Sequence, residues 1–163
     1  MNFRLKTYLS TLAAFTPNKI YLVGGSVRDL LIGRQDIKDI DLMIASGSED
    51  VARTFADTIG GSFFFLDEER KISRIVKHTD TDIIQFDFTN FEGPDLNADL
   101  ERRDFAMNAM ALDLRAFIAT QSLDGLIETL IEDWYVTREE RRKRLTETRK
   151  ITGERIVEKN REE

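Results

Sequence analysis

Apolar residues in the first fifteen positions recur at helical spacing: Leu5, Tyr8, Leu9, Leu12 and Phe15 share a face, and Pro17 closes the segment. This predicts an amphipathic helix. Ile20–Val23 follows as a short β-rich run ending in Gly24-Gly25. Ser26 then stands where an N-cap belongs, before a short helix over Val27–Ile32 that Gly33 stops. Asp39–Ala45 reads as a strand, and Ser48 as the cap of a helix over Glu49–Ile59 that ends at Gly60-Gly61. The pattern then changes: Phe63–Leu66, Ile72–Lys77 and Ile83–Phe88 predict three successive strands joined by polar turns. Glu92–Leu100, which holds Pro94, reads as a loop, Arg102–Ala109 as a helix and Met110–Leu114 as a strand, while Ala116–Val136 fits no single pattern. There is no internal repeat. The order αβαβαβββαβ predicts an α/β fold, a mixed sheet flanked by helices.

Composition narrows the chemistry. Of 163 residues, 41% are apolar and 33% charged, which excludes a wholly disordered chain. No apolar run approaches the ~18 residues of a membrane span, and the start lacks a signal-peptide pattern, so a cytoplasmic protein without a membrane partner is expected. The absence of cysteine excludes disulfides, thiolate zinc sites and a cysteine nucleophile. The single histidine, His78, is expected at a strand end on the surface. Catalysis would have to run on carboxylates, arginines and backbone groups. The net charge of −6 argues against a chain-wide nucleic-acid surface, but it is unevenly spread. Residues 137–163 carry ten Lys/Arg against seven Glu, which leaves the first 136 residues at −9. Two units are expected: an acidic globule over 1–136 and a basic, helical, in part disordered tail over 137–163.

Four groups of residues carry candidate chemistry. Gly24-Gly25-Ser26 joins a strand to a helix start, where unpaired N–H groups and the helix dipole suit phosphate. An ordinary glycine turn would look the same, and neither the G-x-G-x-x-G nor the P-loop pattern is met. Asp39 and Asp41 alternate on a strand, so both carboxylates face one side while Ile40 faces the core. Such a pair suits Mg²⁺, or equally a solvated strand edge. Asp87, with Gln85, lies opposite Ile84, Phe86 and Phe88, and is either a surface carboxylate or the third carboxylate of a two-metal site. Arg102-Arg103, followed by Asn108, is either a solvated face or a phosphate-pairing fork. Phe65, Phe86, Phe88 and Phe105 are expected in the core.

Together, YLVGGSVRDLLIG, KDIDLMI and RRDFAMNAMALD resemble the head domain of class II tRNA nucleotidyltransferases, the CCA-adding enzymes, and their bacterial poly(A) polymerase relatives. The resemblance covers about residues 18–115. It implies a nucleotidyltransferase head domain with a C-terminal helical extension. It further implies Mg²⁺, or Mn²⁺, at Asp39 and Asp41, and a triphosphate held by Gly24, Gly25 and Ser26. Arg28, Arg103 and Asn108 would contact the nucleotide, Asp29 would brace the helix turn and reach towards the ribose, and Asp87 would supply the third carboxylate. The implied substrates are ATP or CTP and an RNA 3′-hydroxyl, that of tRNA above all.

Two departures qualify this. The family's neck signature E-D-x-x-R-x-x-R meets Glu132-Asp133-Trp134-Tyr135-Val136-Thr137 here, so Val136 stands where the first base-reading arginine belongs. The family's helical body needs some 200 further residues, so tRNA binding would call for a body domain or an oligomeric partner reached through the tail. Rival readings are a small nucleotidyltransferase with a non-tRNA acceptor and a nucleotide-binding module without turnover. The intact aspartate pair favours an enzyme.

Overall fold

The computed structural model describes residues 3–101, 110–120 and 130–132. Within them the chain runs α1 (Phe3–Phe15), β1 (Ile20–Val23), α2 (Gly24–Leu31), β2 (Asp39–Ile44), α3 (Ser48–Ile59), β3 (Ser62–Asp67), β4 (Ile72–His78), β5 (Ile83–Asn90), α4 (Leu96–Glu101), β6 (Met110–Asp113), α5 (Leu114–Ala119) and β7 (Leu130–Glu132). The strands form one seven-stranded sheet in the order β3-β4-β5-β2-β1-β6-β7. Among the described strands only β2 and β5 pair in parallel; α3 and the β3–β4 meander form the connection between them. The expected mixed sheet is present.

Strand alternation gives the sheet two unlike faces. One carries Leu22, Ile40, Leu42, Phe86 and Phe88, all at most 1% exposed. Leu5, Leu9 and Leu12 of α1, Val27 and Leu30 of α2, Phe55 of α3 and Phe117 of α5 pack against it in a single core. Phe55 meets Phe86 edge-on with ring centres 5.2 Å apart. Full burial of each such ring stabilises by about 1.5–3 kcal/mol. The other face has a smaller apolar cluster, Val23, Met43 and Ala111 under Leu96 and Leu100 of α4. The candidate carboxylates lie on that face too, which also exposes Phe64 and Leu66 on β3 and Ile83 on β5.

Several expectations are corrected. Ser26 is not an N-cap: α2 starts at Gly24, directly from the strand, with Val23 as its cap residue and no side-chain cap. The Ser26 hydroxyl instead donates back to the Val23 carbonyl at 2.8 Å from inside the first turn. Nor does Ser48 cap α3, because Gly47, in left-handed conformation, takes that position. The Ser48 N–H donates to Asn90 Oδ1 at 3.1 Å, so a strand side chain supplies the acceptor a cap would have given. Met110–Leu114 loses its last residue to α5, and part of the unassigned Ala116–Val136 stretch is α5 and β7. His78 does end β4 and is exposed. The expected helix Arg102–Ala109 and the tail 137–163 lie outside the described residues, as does Phe105. Among the described residues no helix is long and apolar enough to cross a membrane.

The expected loop Glu92–Leu100 contains a helix. Pro94 does not prevent it, because α4 begins two residues later, and Asp95 Oδ1 accepts the Ala98 N–H at 2.9 Å as an N-cap does. Asp95→Ala should therefore lower stability by about 1 kcal/mol, read as a shift of the urea midpoint at unchanged slope.

Candidate active site

Antiparallel pairing of β1 with β2 sets Val23 opposite Asp41, so the chain leaves β1 beside the carboxylate pair. Gly24 makes the turn with φ +65°, a left-handed conformation that a side chain disfavours. A Cβ at residue 24 would stand 3.1 Å from Asp41 Oδ2. The start of α2 and the carboxylate of Asp41 thus meet closely enough that a side chain at residue 24 would have to push the carboxylate aside. Asp39, two residues earlier on β2, shares the face and is exposed, whereas Asp41 is half-buried.

The α2 residues take distinct places. Gly25 lies beside the Arg28 guanidinium, with 3.4 Å between Nη2 and the position of a Cβ on Gly25. Arg28 Nε donates to Asp29 Oδ1 at 3.0 Å, and Asp29 Oδ2 accepts from Arg34 Nη1 at 3.0 Å. Asp29 therefore bridges two arginines across the end of the helix, as a brace. Ser26 is buried and its hydroxyl proton goes to the backbone, so its contribution to the turn is a corner brace and its backbone N–H.

Asp87 lies next to Asp41 in the parallel register of β2 and β5, on the same face. Both of its oxygens are engaged, Oδ1 by Arg74 Nε and Oδ2 by Arg74 Nη2, each at 2.7 Å. Such a planar two-point contact between ionised groups is among the stronger polar interactions a side chain makes. Arg74 stands opposite Asp87 on β4, which gives one row across the sheet: Arg74, Asp87, Asp41. The hydrogen bond that it donates to Asp87 holds the Arg74 guanidinium above its ordinary pKa; burial opposes this, and the charges of Asp87, Asp39 and Asp41 add to it. Arg74 is thus within the field of all three carboxylates.

Sequence reasoning missed Arg74. Its signal was a lone charge in the middle of ISRIV, at the position an antiparallel meander sets opposite Asp87. Asp99 of α4 was missed too; it is 4% exposed and Oδ1 accepts the Glu92 N–H at 3.0 Å, which ties α4 to the end of β5. Arg103 and Asn108 lie outside the described residues. Among the described residues no three His, Cys, Asp or Glu groups converge to hold a metal. The two aspartates fit a divalent cation all the same: they are hard oxygen donors on one face, with Asp41 against a glycine, and Mg²⁺ needs only one or two carboxylates when phosphates complete its shell.

The model of the poly A polymerase head domain family matches residues 20–130. The CC-adding tRNA nucleotidyltransferase of Geobacter sulfurreducens is 41% identical over 108 residues, 66% of this chain and 24% of the relative. The CC-adding tRNA nucleotidyltransferase of Synechocystis is 39% identical over 103 residues, 63% of this chain and 24% of the relative. The chain thus matches about a quarter of the length of these curated relatives. Among solved structures, a tRNA nucleotidyltransferase complexed with a primer tRNA and an incoming ATP analog is 26% identical with a TM-score of 0.54; the match covers 65% of this chain and 31% of that one.

Proposed function

The chain belongs to the poly A polymerase head domain family, and from that premise we propose that it is the catalytic head of a metal-dependent nucleotidyltransferase that adds AMP or CMP to the 3′-hydroxyl of tRNA. One observation carries this reading: Asp41 sits 3.1 Å from where a Cβ on Gly24 would be. A phosphate chain resting on the start of α2 would therefore lie against the carboxylate pair.

The N–H groups at Gly25 and Ser26 would bind the triphosphate at the helix start, whose dipole favours negative charge. Arg28 would add its guanidinium, aimed by Asp29. Asp39 and Asp41 would hold Mg²⁺, with Mn²⁺ as a substitute, and the ion would lower the pKa of the attacking hydroxyl and neutralise charge on the phosphates. Attack of the 3′-oxygen on the α-phosphorus forms the new phosphodiester, breaks the bond to the bridging oxygen and releases pyrophosphate. Arg103 and Asn108 are proposed as further nucleotide contacts on the family motif RRDFAMNA.

Base choice needs partners that hydrogen-bond the base edge, and a site without them discriminates little. Val136 occupies the neck position where the first base-reading arginine is expected. The 163-residue chain should therefore bind ATP and CTP with weak preference. It should extend tRNA poorly unless a body domain is supplied. The test is extension of labelled RNAs, tRNA lacking its 3′ end among them, with ATP and CTP separately and together, in Mg²⁺ and in EDTA. EDTA-sensitive transfer supports the reading. Ordered addition of C, C and A by this chain alone overturns the assignment of base choice to the neck, and EDTA-resistant transfer overturns the metal.

Arg28→Ala should weaken nucleotide binding by about 1.5 kcal/mol, roughly tenfold, the low end for a charge-assisted contact because Asp29 shares the fork. Equilibrium titration with a fluorescent ATP analogue reads it directly. An unchanged affinity would confine Arg28 to the helix brace.

A further inference from the structure

We propose that Arg74 is a positioning residue that keeps Asp87 out of the metal shell, so that the head binds a divalent ion weakly by itself and takes it up together with the triphosphate. This rests on the metal reading of Asp39 and Asp41 given above. Without Arg74, Asp87 would be well placed as a third ligand, being one strand from Asp41, in register and on the same face. Its two oxygens are instead held by Arg74 Nε and Nη2 at 2.7 Å each. The pair is partly buried, with side-chain exposures of 30% for Arg74 and 19% for Asp87, so water screens it only in part.

Charge gives the arrangement a purpose. In the row Arg74, Asp87, Asp41, the guanidinium offsets the charge of Asp87. Three carboxylates closing on a metal would form a tight resident site. Two leave the ion short of ligands until phosphate oxygens arrive, and Mg²⁺ accepts that division readily. The guanidinium thus stands in for a cation at Asp87 and reserves the metal for the nucleotide.

The experiment is Mn²⁺ binding to the 163-residue protein, followed by electron paramagnetic resonance, with and without a non-hydrolysable ATP analogue. Wild-type protein should bind Mn²⁺ weakly alone and far more tightly with the analogue. Asp87→Asn should weaken nucleotide-free binding by less than about fivefold, the field of one lost charge a strand away in water and salt. Loss of a direct ligand would exceed tenfold and overturn the proposal. Arg74→Met should tighten nucleotide-free binding about tenfold, and Arg74→Met/Asp87→Asn should abolish that gain. Removing a screened positive charge two strands away would by itself change affinity less than about twofold, so unchanged binding in Arg74→Met also overturns the proposal. If Arg74→Met does not fold, Asp87→Asn decides alone. The control is Asp39→Asn/Asp41→Asn: binding that survives there refutes the metal site itself, a failure distinct from that of the Arg74 role.

Discussion

Replacing Asp39 and Asp41 together by Asn is expected to abolish nucleotide transfer and to leave the fold standing. Asn keeps the shape of each side chain and removes only its charge, so the sheet register and the packing of Ile40 and Leu42 behind the pair are undisturbed. Asp39 is exposed and Asp41 half-buried, and the mutual repulsion of two adjacent carboxylates disappears with the charges. Stability should change by no more than about 0.5–1 kcal/mol, the scale of surface substitutions, with the melting temperature level or slightly raised. Transfer should fall much further. Loss of one preorganised electrostatic partner of a transition state costs roughly 10²–10³-fold, and here both would go. The measurements are a thermal melt and a single-turnover extension assay on the head supplied with a body domain. A double variant that unfolds at ambient temperature would make the pair structural and remove the ground for metal catalysis.

The carboxylate pair was legible because alternation on a strand is a strictly local rule. Once DIDLMI is read as a strand, Asp39 and Asp41 share a face whatever surrounds them, and the buried Ile40, Leu42 and Ile44 confirm the phase. The three-strand meander and α3 were legible for the same reason, since their period and their punctuating glycines lie within a few residues of one another. Ser26 and Ser48 were misread because capping is decided by backbone conformation one or two residues away. Gly24 and Gly47 adopt positive φ and start their helices early, which left both serines inside a first turn. What stayed hidden was the partner of Asp87. Arg74 is thirteen residues away, and their contact exists only through the register of β4 on β5. A reading along the chain locates each residue on a face but cannot set one charge against another until the register is known. Asp99 escaped for a related reason: its donor, the Glu92 backbone N–H, is available only because α4 folds back over the end of β5.

Gly24→Ala should produce the second large loss, and its two components separate by assay. The φ of +65° at this residue places a side chain in the left-handed region, which costs a non-glycine residue about 1–2 kcal/mol. That part appears as a lower denaturation midpoint. The second component is steric. The new methyl would lie 3.1 Å from Asp41 Oδ2, tighter than an ordinary contact, and Asp41 sits in the middle of a paired strand. Relief must come from rotation of the carboxylate or from movement of the turn that starts α2. Either one separates the proposed phosphate seat from the proposed metal ligand, whose juxtaposition is the geometric basis for catalysis. A displacement of about 1 Å in such a constellation can cost on the order of 10²-fold in rate. Transfer should therefore fall about a hundredfold at temperatures where the variant is fully folded, far beyond what the stability loss explains. Gly33 provides the control: it also has positive φ, +80°, but nothing lies within 4 Å of its added Cβ. Gly33→Ala should lose comparable stability and keep its rate. Equal rate losses in the two variants would mean that backbone strain alone is at work, and that the contact between Gly24 and Asp41 carries no chemistry.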